Sequence, residues 1–123
     1  MMNNLGAGAD TALQEAAGAR LAETAVAAAA GIPSRKLRAF NRGRRPVARA
    51  RQRAMYLAHV AFGLTLSRVG VCFGRDRTTV RHACALIEDS RDDPRCEFGL
   101  SALEAALLAI RSSLSGAPQE ASR

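Results

Sequence analysis

Residues 74–84 read GRDRTTVRHAC. Gly74 permits a tight turn and Asp76 is a good N-cap. Val80, Ala83, Cys84 and Ile87 then recur at i, i+3, i+4 and i+7, the stripe of a helix with one buried face. Thr78, Thr79 and Val80 are β-branched and would also suit a strand. The 3.6-residue period continues through Ile87, however, and decides for a helix running to about Asp89, with Thr78, Arg81, His82 and Ala85 facing away from the stripe. Just upstream, Thr65 can cap a shorter helix in which Leu66, Val69, Gly70 and Phe73 repeat the same spacing, although Arg68 stands where a capping box would want an acid. A short helix, a glycine turn and a longer helix with a polar, cationic first turn make a helix-turn-helix pattern, which presents that turn to a DNA groove.

Working outward, Ala54, Leu57, Ala58 and Ala61 give one buried stripe to a helix from about Ala48 to Phe62, with Gln52, Tyr56 and His59 on its opposite side and Gly63 as terminator. Before it, Asn41 to Arg49 (NRGRRPVAR) combines glycine and proline with arginines and reads as an exposed basic loop. Residues 1–10 read as a flexible lead to an alanine-rich helix that stops at Gly31 and Pro33, and Ser34 can cap a short helix through Phe40. Arg91 to Cys96 is a charged connector. A last helix is expected from the capping box of Ser101 and Glu104, with Leu103, Leu107, Ile110 and Leu114 as its stripe. The expected division is a flexible lead at 1–18, a helix-turn-helix domain at 19–97, a C-terminal helix at 98–114 and a disordered tail at 115–123.

The 123 residues carry a net charge of +7, 48% apolar residues and only 4% aromatics, which fits one all-α domain, a small helical bundle with a thin core. The charge is uneven: residues 24–75 contain no acid, whereas seven acids lie in 82–123. A basic centre of that kind suits a polyanionic partner. Three cysteines at wide spacing and two histidines offer neither a disulfide framework nor metal-ligand spacing, so no metal and no cofactor is expected. No run is long and apolar enough for a membrane, and a cytoplasmic, nucleoid-associated setting is the expectation. Asp76, Thr78 and His82 could be read as a hydrolytic cluster, but no base, oriented partner and oxyanion pocket are implied together, and no enzyme is expected.

The run ARQRAMYLAHVAFGLTLSRVGVCFGRDRTTVRHACALIED, residues 50–89, resembles the C-terminal DNA-binding domain of the bacterial replication initiator DnaA. That family's order is arginine-glutamine, a Met-Tyr-Leu-Ala-like helix, a Ser-Leu-x-x-Ile-Gly-like helix and Gly-Gly-Arg-Asp-His-Thr-Thr-Val-x-His-Ala. The resemblance implies a Trp-repressor-like helix-turn-helix that docks as a monomer on double-stranded DNA at a DnaA-box-like site. It places Asp76, Arg77, Thr78 and Thr79 at base-reading positions, and Arg51, Gln52, His59, Arg75, Thr79 and His82 at phosphate-contacting ones. A minor-groove arginine of the family falls on Gly43 here, with Arg42, Arg44 and Arg45 as its neighbours. Two departures stand out: a single glycine, Gly74, precedes Arg-Asp, and Arg77 replaces histidine, which favours guanine O6 and N7 over thymine methyl contacts. The chain carries no Walker A motif, so the expectation is a stand-alone relative without the ATPase core, acting in control of replication initiation or transcription. The alternative is an adaptor that engages DnaA or a DnaA regulator through protein contacts; an apolar, exposed final helix would favour it.

Overall fold

The computed structural model describes residues 2–39 and 43–114, with side chains along the first helix from Asp10 onward. Five α-helices are formed among the described residues: α1 (Met2–Ala30), α2 (Arg45–Phe62), α3 (Leu66–Phe73), α4 (Arg77–Ser90) and α5 (Pro94–Leu114), with a 3-10 helix at Ser34–Arg38 between α1 and α2. The all-α class and the helix-turn-helix of α3 and α4 follow the sequence expectation.

Helix α2 is the axis of the bundle. Ala54, Met55, Tyr56, Leu57 and Ala58 are buried in succession, so the middle of this helix is enclosed on every side, and each of the other four packs against it. Tyr56, expected to face away from the core, is only 3% exposed. Its hydroxyl donates to Glu88 Oε1 of α4 at 2.5 Å and accepts from the Arg91 guanidinium at 2.9 Å. Burial, then the Glu88 contact, pushes the Tyr56 hydroxyl above its ordinary pKa.

Two boundaries differ from expectation, each for a local reason. Helix α1 starts at Met2, so the segment assigned as a flexible lead is helical from its second residue. Tertiary contacts hold part of it: Glu15 pairs with Arg68 of α3 at 2.8 Å, and buried Gly18 lies against the Phe62 ring. Buried Ala19, Ala22, Glu23, Val26 and Ala27 then form the inner stripe. Glu23, 1% exposed, is balanced by Arg20 at 2.9 Å and Arg38 at 2.8 Å. Gly31, at φ +70°, ends the helix in a Schellman arrangement, with Ile32 N–H on Ala27 O and Gly31 N–H on Ala28 O.

The second boundary is that of α5, which begins at Pro94 rather than near Ser101. Proline suits a first helical turn, and Asp93 Oδ1 accepts from Arg95 N–H in the manner of an N-cap. Ser101 is therefore inside the helix, where its hydroxyl donates to Glu97 and accepts from Arg91. Of the stripe expected to be its inner face, Leu107 is buried and Leu103 partly so, while Ile110 and Leu114 are exposed. Residues 115–123, assigned as a tail, lie outside the described residues.

The recognition pair rests on one close approach. Thr65 caps α3 by accepting from Arg68 N–H at 3.1 Å, and Asp76 caps α4 by accepting from Thr79 N–H at 2.7 Å. Between them Gly74 adopts φ +66°, and Arg75 N–H donates back to Gly70 O at 2.9 Å. A Cβ on Gly70 would overlap the Arg75 carbonyl oxygen, a backbone atom that cannot step aside. Gly70→Ala is expected to lower stability by about 1–3 kcal/mol. Gly99→Ala, in α5 where an added Cβ meets nothing, should instead raise it by up to about 1 kcal/mol. Denaturant melts of both variants test the pair; equal behaviour would contradict the close approach.

Candidate nucleic-acid interface

The exposed side of α4 is assembled by its own period. Val80, Ala83 and Ile87 are buried, Cys84 is half-buried, and Arg77, Thr78, Arg81, His82 and Ala85 are exposed. Burial pushes the Cys84 thiol up to about 11. No group of three His, Cys, Asp or Glu among the described residues could hold a metal ion.

A groove of about 370 Å³ separates α4 from the first half of α2, lined by Ala48, Arg51, Gln52, Met55, Arg75, Thr79, His82 and Ala83. It continues into a shallower trough beside Gly43, Arg45, Arg49 and Leu86, the two sharing Ala48 and Gln52. The structure thus brings Gln52, Thr79 and His82 together along one surface with the basic start of α2. His59 stands apart from them, two turns further along α2, where its Nδ1–H donates to Leu64 O at 2.6 Å and fixes the α2–α3 turn.

Two of the expected phosphate ligands have other duties. Arg51 is only 4% exposed, and its guanidinium donates to Leu37 O at 2.9 Å and Lys36 O at 3.3 Å, which ties the 3-10 helix to α2. Arg75 donates to Ala39 O at 2.9 Å and to Phe73 O at 3.1 Å, bracing the helix-turn-helix turn against the same segment. Both still line the groove, but part of each guanidinium is engaged by a backbone carbonyl. Asp76 caps α4 with its carboxylate, and the Thr79 N–H holds it below the usual carboxylate range. The basic loop is shorter than expected. Arg44 is the extended residue that precedes α2, Arg45 is already its first helical residue, Pro46 sits in the first turn, and Arg42 lies outside the described residues.

Sequence reasoning passed over Arg49 and Arg81 as contacts. Both are exposed and have no ion pair or hydrogen bond with a described residue, as is also true of Arg44, Arg45 and Arg77. Their position one turn beyond Arg45 and Arg77 was the available signal.

The sequence that builds this surface has counterparts among known proteins. A family model described as the bacterial dnaA protein helix-turn-helix matches residues 22–87, from the inner half of α1 to the last buried residue of α4. The chain belongs to the bacterial DnaA helix-turn-helix family. It carries the DNA-binding helix-turn-helix of that family, and α5 falls beyond the match. It is also 43% identical over 65 residues to the chromosomal replication initiator protein DnaA of Laribacter hongkongensis (strain HLHK9), a match that covers 51% of this chain. The chain spans only 14% of that relative's length. No solved structure matches. No helix of the described residues is long and apolar enough to cross a membrane.

The two kinds of arginine are separable by experiment. Arg51→Ala should remove the Arg51 donor from the Leu37 carbonyl and lower stability by about 1–3 kcal/mol, whereas Arg49→Ala should melt with the parent and Arg77→Ala no lower than it. Asp76 gives a pH signature. Its folded-state pKa lies below the unfolded value, so its contribution is present above the unfolded value, near pH 4, and is lost as pH falls through the lower folded value. Asp76→Asn keeps a capping oxygen but cannot titrate. Its stability curve should be flatter than the parent's in that acid window, and an unchanged acid limb would count against the cap.

Proposed function

We propose that the chain binds duplex DNA with a sequence preference, placing the first two turns of α4 in the major groove, and acts in the control of chromosome replication initiation or of transcription. The observation that carries this reading is the division of the cations. Arg44, Arg45 and Arg49 at the start of α2, and Arg77 and Arg81 on α4, lie exposed without a described partner; Arg45 and Arg49 line the trough that continues the groove of Gln52, Thr79 and His82, and Arg77 and Arg81 stand on the outward side of α4. In this arrangement the arginines of α2 contact phosphate and set the register, while Arg77 and Thr78 reach base edges. Thr79 and His82 line the phosphate side of the trough, and a DnaA-box-like site is the first target to try. A monomer supplies one such surface.

A second reading is favoured by α5. Phe98 is 79% exposed, and Leu108, Ile110 and Leu114 are exposed with it, on a helix outside the family match. In that reading the chain works as an adaptor that engages DnaA or one of its regulators through α5.

Gel shifts with a DnaA box, a scrambled duplex and a genomic fragment pool at two salt concentrations decide between them. The three exposed arginines at the start of α2 alone give a slope of log K against log salt near about −3, and every further phosphate contact steepens it. Replacing Arg44, Arg45 and Arg49 together by Ala should reduce that slope by about 3 while leaving sequence preference intact. An unchanged slope would remove these arginines from the interface, and absence of binding to all three DNAs would transfer the function to α5.

A further inference from the structure

Arg77 and Arg81 are held in a way that intramolecular electrostatics does not explain. They are one turn apart on α4, at i and i+4, where like charges repel. Arg77 is also the first residue of the helix, the end whose dipole disfavours a cation. Neither side chain is relieved by an acid. The nearest carboxylate in sequence, Asp76, is committed to Thr79 N–H, and Glu88 to the Tyr56 hydroxyl. Both arginines are nevertheless exposed, and neither has a hydrogen bond or ion pair with a described residue.

The pair is framed by a rigid base. The buried Val80, Ala83 and Ile87 fix the rotation of α4, and the Asp76 cap and the Gly70–Arg75 approach fix its start. Arg77, Thr78 and Arg81 therefore project from one defined surface rather than from a loop.

Resting on the DNA-binding reading above, we propose that Arg77 and Arg81 act together as a reader of two guanines, so that the preferred duplex carries two guanines within three successive base pairs. The spacing supports it. Four residues of helix rise about 6 Å, close to two base steps of about 3.4 Å each. A guanidinium fork matches the O6 and N7 acceptors that only guanine offers side by side in the major groove. Phosphate duty is met at the rim by Arg44, Arg45 and Arg49, beside the trough, which leaves the outward surface of α4 for the bases.

The test is selection of bound duplexes from a random pool by the full chain, with sequencing of the bound fraction for the parent, Arg77→Ala and Arg81→Ala. Circular dichroism melts confirm that both variants fold. The parent should enrich two guanines within three base pairs. Each variant should lose enrichment at one of the two and bind the selected site about tenfold more weakly. A selected site without the guanine pair would overturn the inference, as would an equal loss by the variants on every duplex, the mark of phosphate contacts. Binding without any guanine enrichment leaves the DNA-binding reading standing and defeats this one. A parent that captures no duplex defeats both.

Discussion

The groove between α2 and α4 depends on two arginines that line it while their guanidiniums hold backbone carbonyls. Arg51, from α2, and Arg75, from the turn between α3 and α4, converge on the backbone carbonyls of residues 36, 37 and 39. A segment with little side-chain core of its own, only Leu37 being fully buried, is thereby fixed to the central helix and to the helix-turn-helix at once. Carbonyls turned inward without donors would each cost a lost hydrogen bond, and a buried guanidinium without acceptors would cost more. Each need answers the other. The 3-10 segment is thus tied to both walls of the groove between α2 and α4.

That arrangement explains why so basic a protein tolerates its charge. Arg20 and Arg38 flank the buried Glu23, and Arg20 also lies over the Phe73 ring at 5.1 Å. Arg91 gathers Ser101 together with Glu97, the Tyr56 hydroxyl and Glu104, and the last three raise its pKa further above the ordinary guanidinium value. Arg111 reaches back from α5 to Ala61 O at 3.0 Å. Of the acidic C-terminal part, Glu97 and Glu104 act as internal counter-charge to Arg91. What remains unpaired among the described residues gathers mainly along α2's first turns and on α4.

The sequence made the helix-turn-helix legible because its signals are local. Thr65, Gly74 and Asp76 are short-range caps and turns, and the α4 stripe is set by residues within a few positions of one another. The family resemblance reached further, and its retained Gln52, Thr79 and His82 do share a trough. What stayed hidden depends on partners far away in the chain. An arginine looks the same in sequence whether it will meet a phosphate or a carbonyl 14 residues away, as Arg51 does. Tyr56 was misplaced because a one-stripe reading presumes a single packing face, and α2 is packed on all of them. The start of α5 was missed for a different reason. Ser101 and Glu104 mimic a capping box, while the true first turn is set by Asp93 and Pro94 among charges that read as a connector.

Tyr56 has one more consequence. The chain has no tryptophan and a single tyrosine, so its ultraviolet emission comes from one ring. That ring lies where α2, α4 and the start of α5 meet, with a carboxylate accepting its hydroxyl proton and a guanidinium lying 5.8 Å from its centroid. A hydrogen-bonded carboxylate is an efficient quencher of phenol fluorescence. The folded protein is therefore optically dim by construction, and brightening would report, without any attached dye, the parting of the recognition helix from the core that aims it.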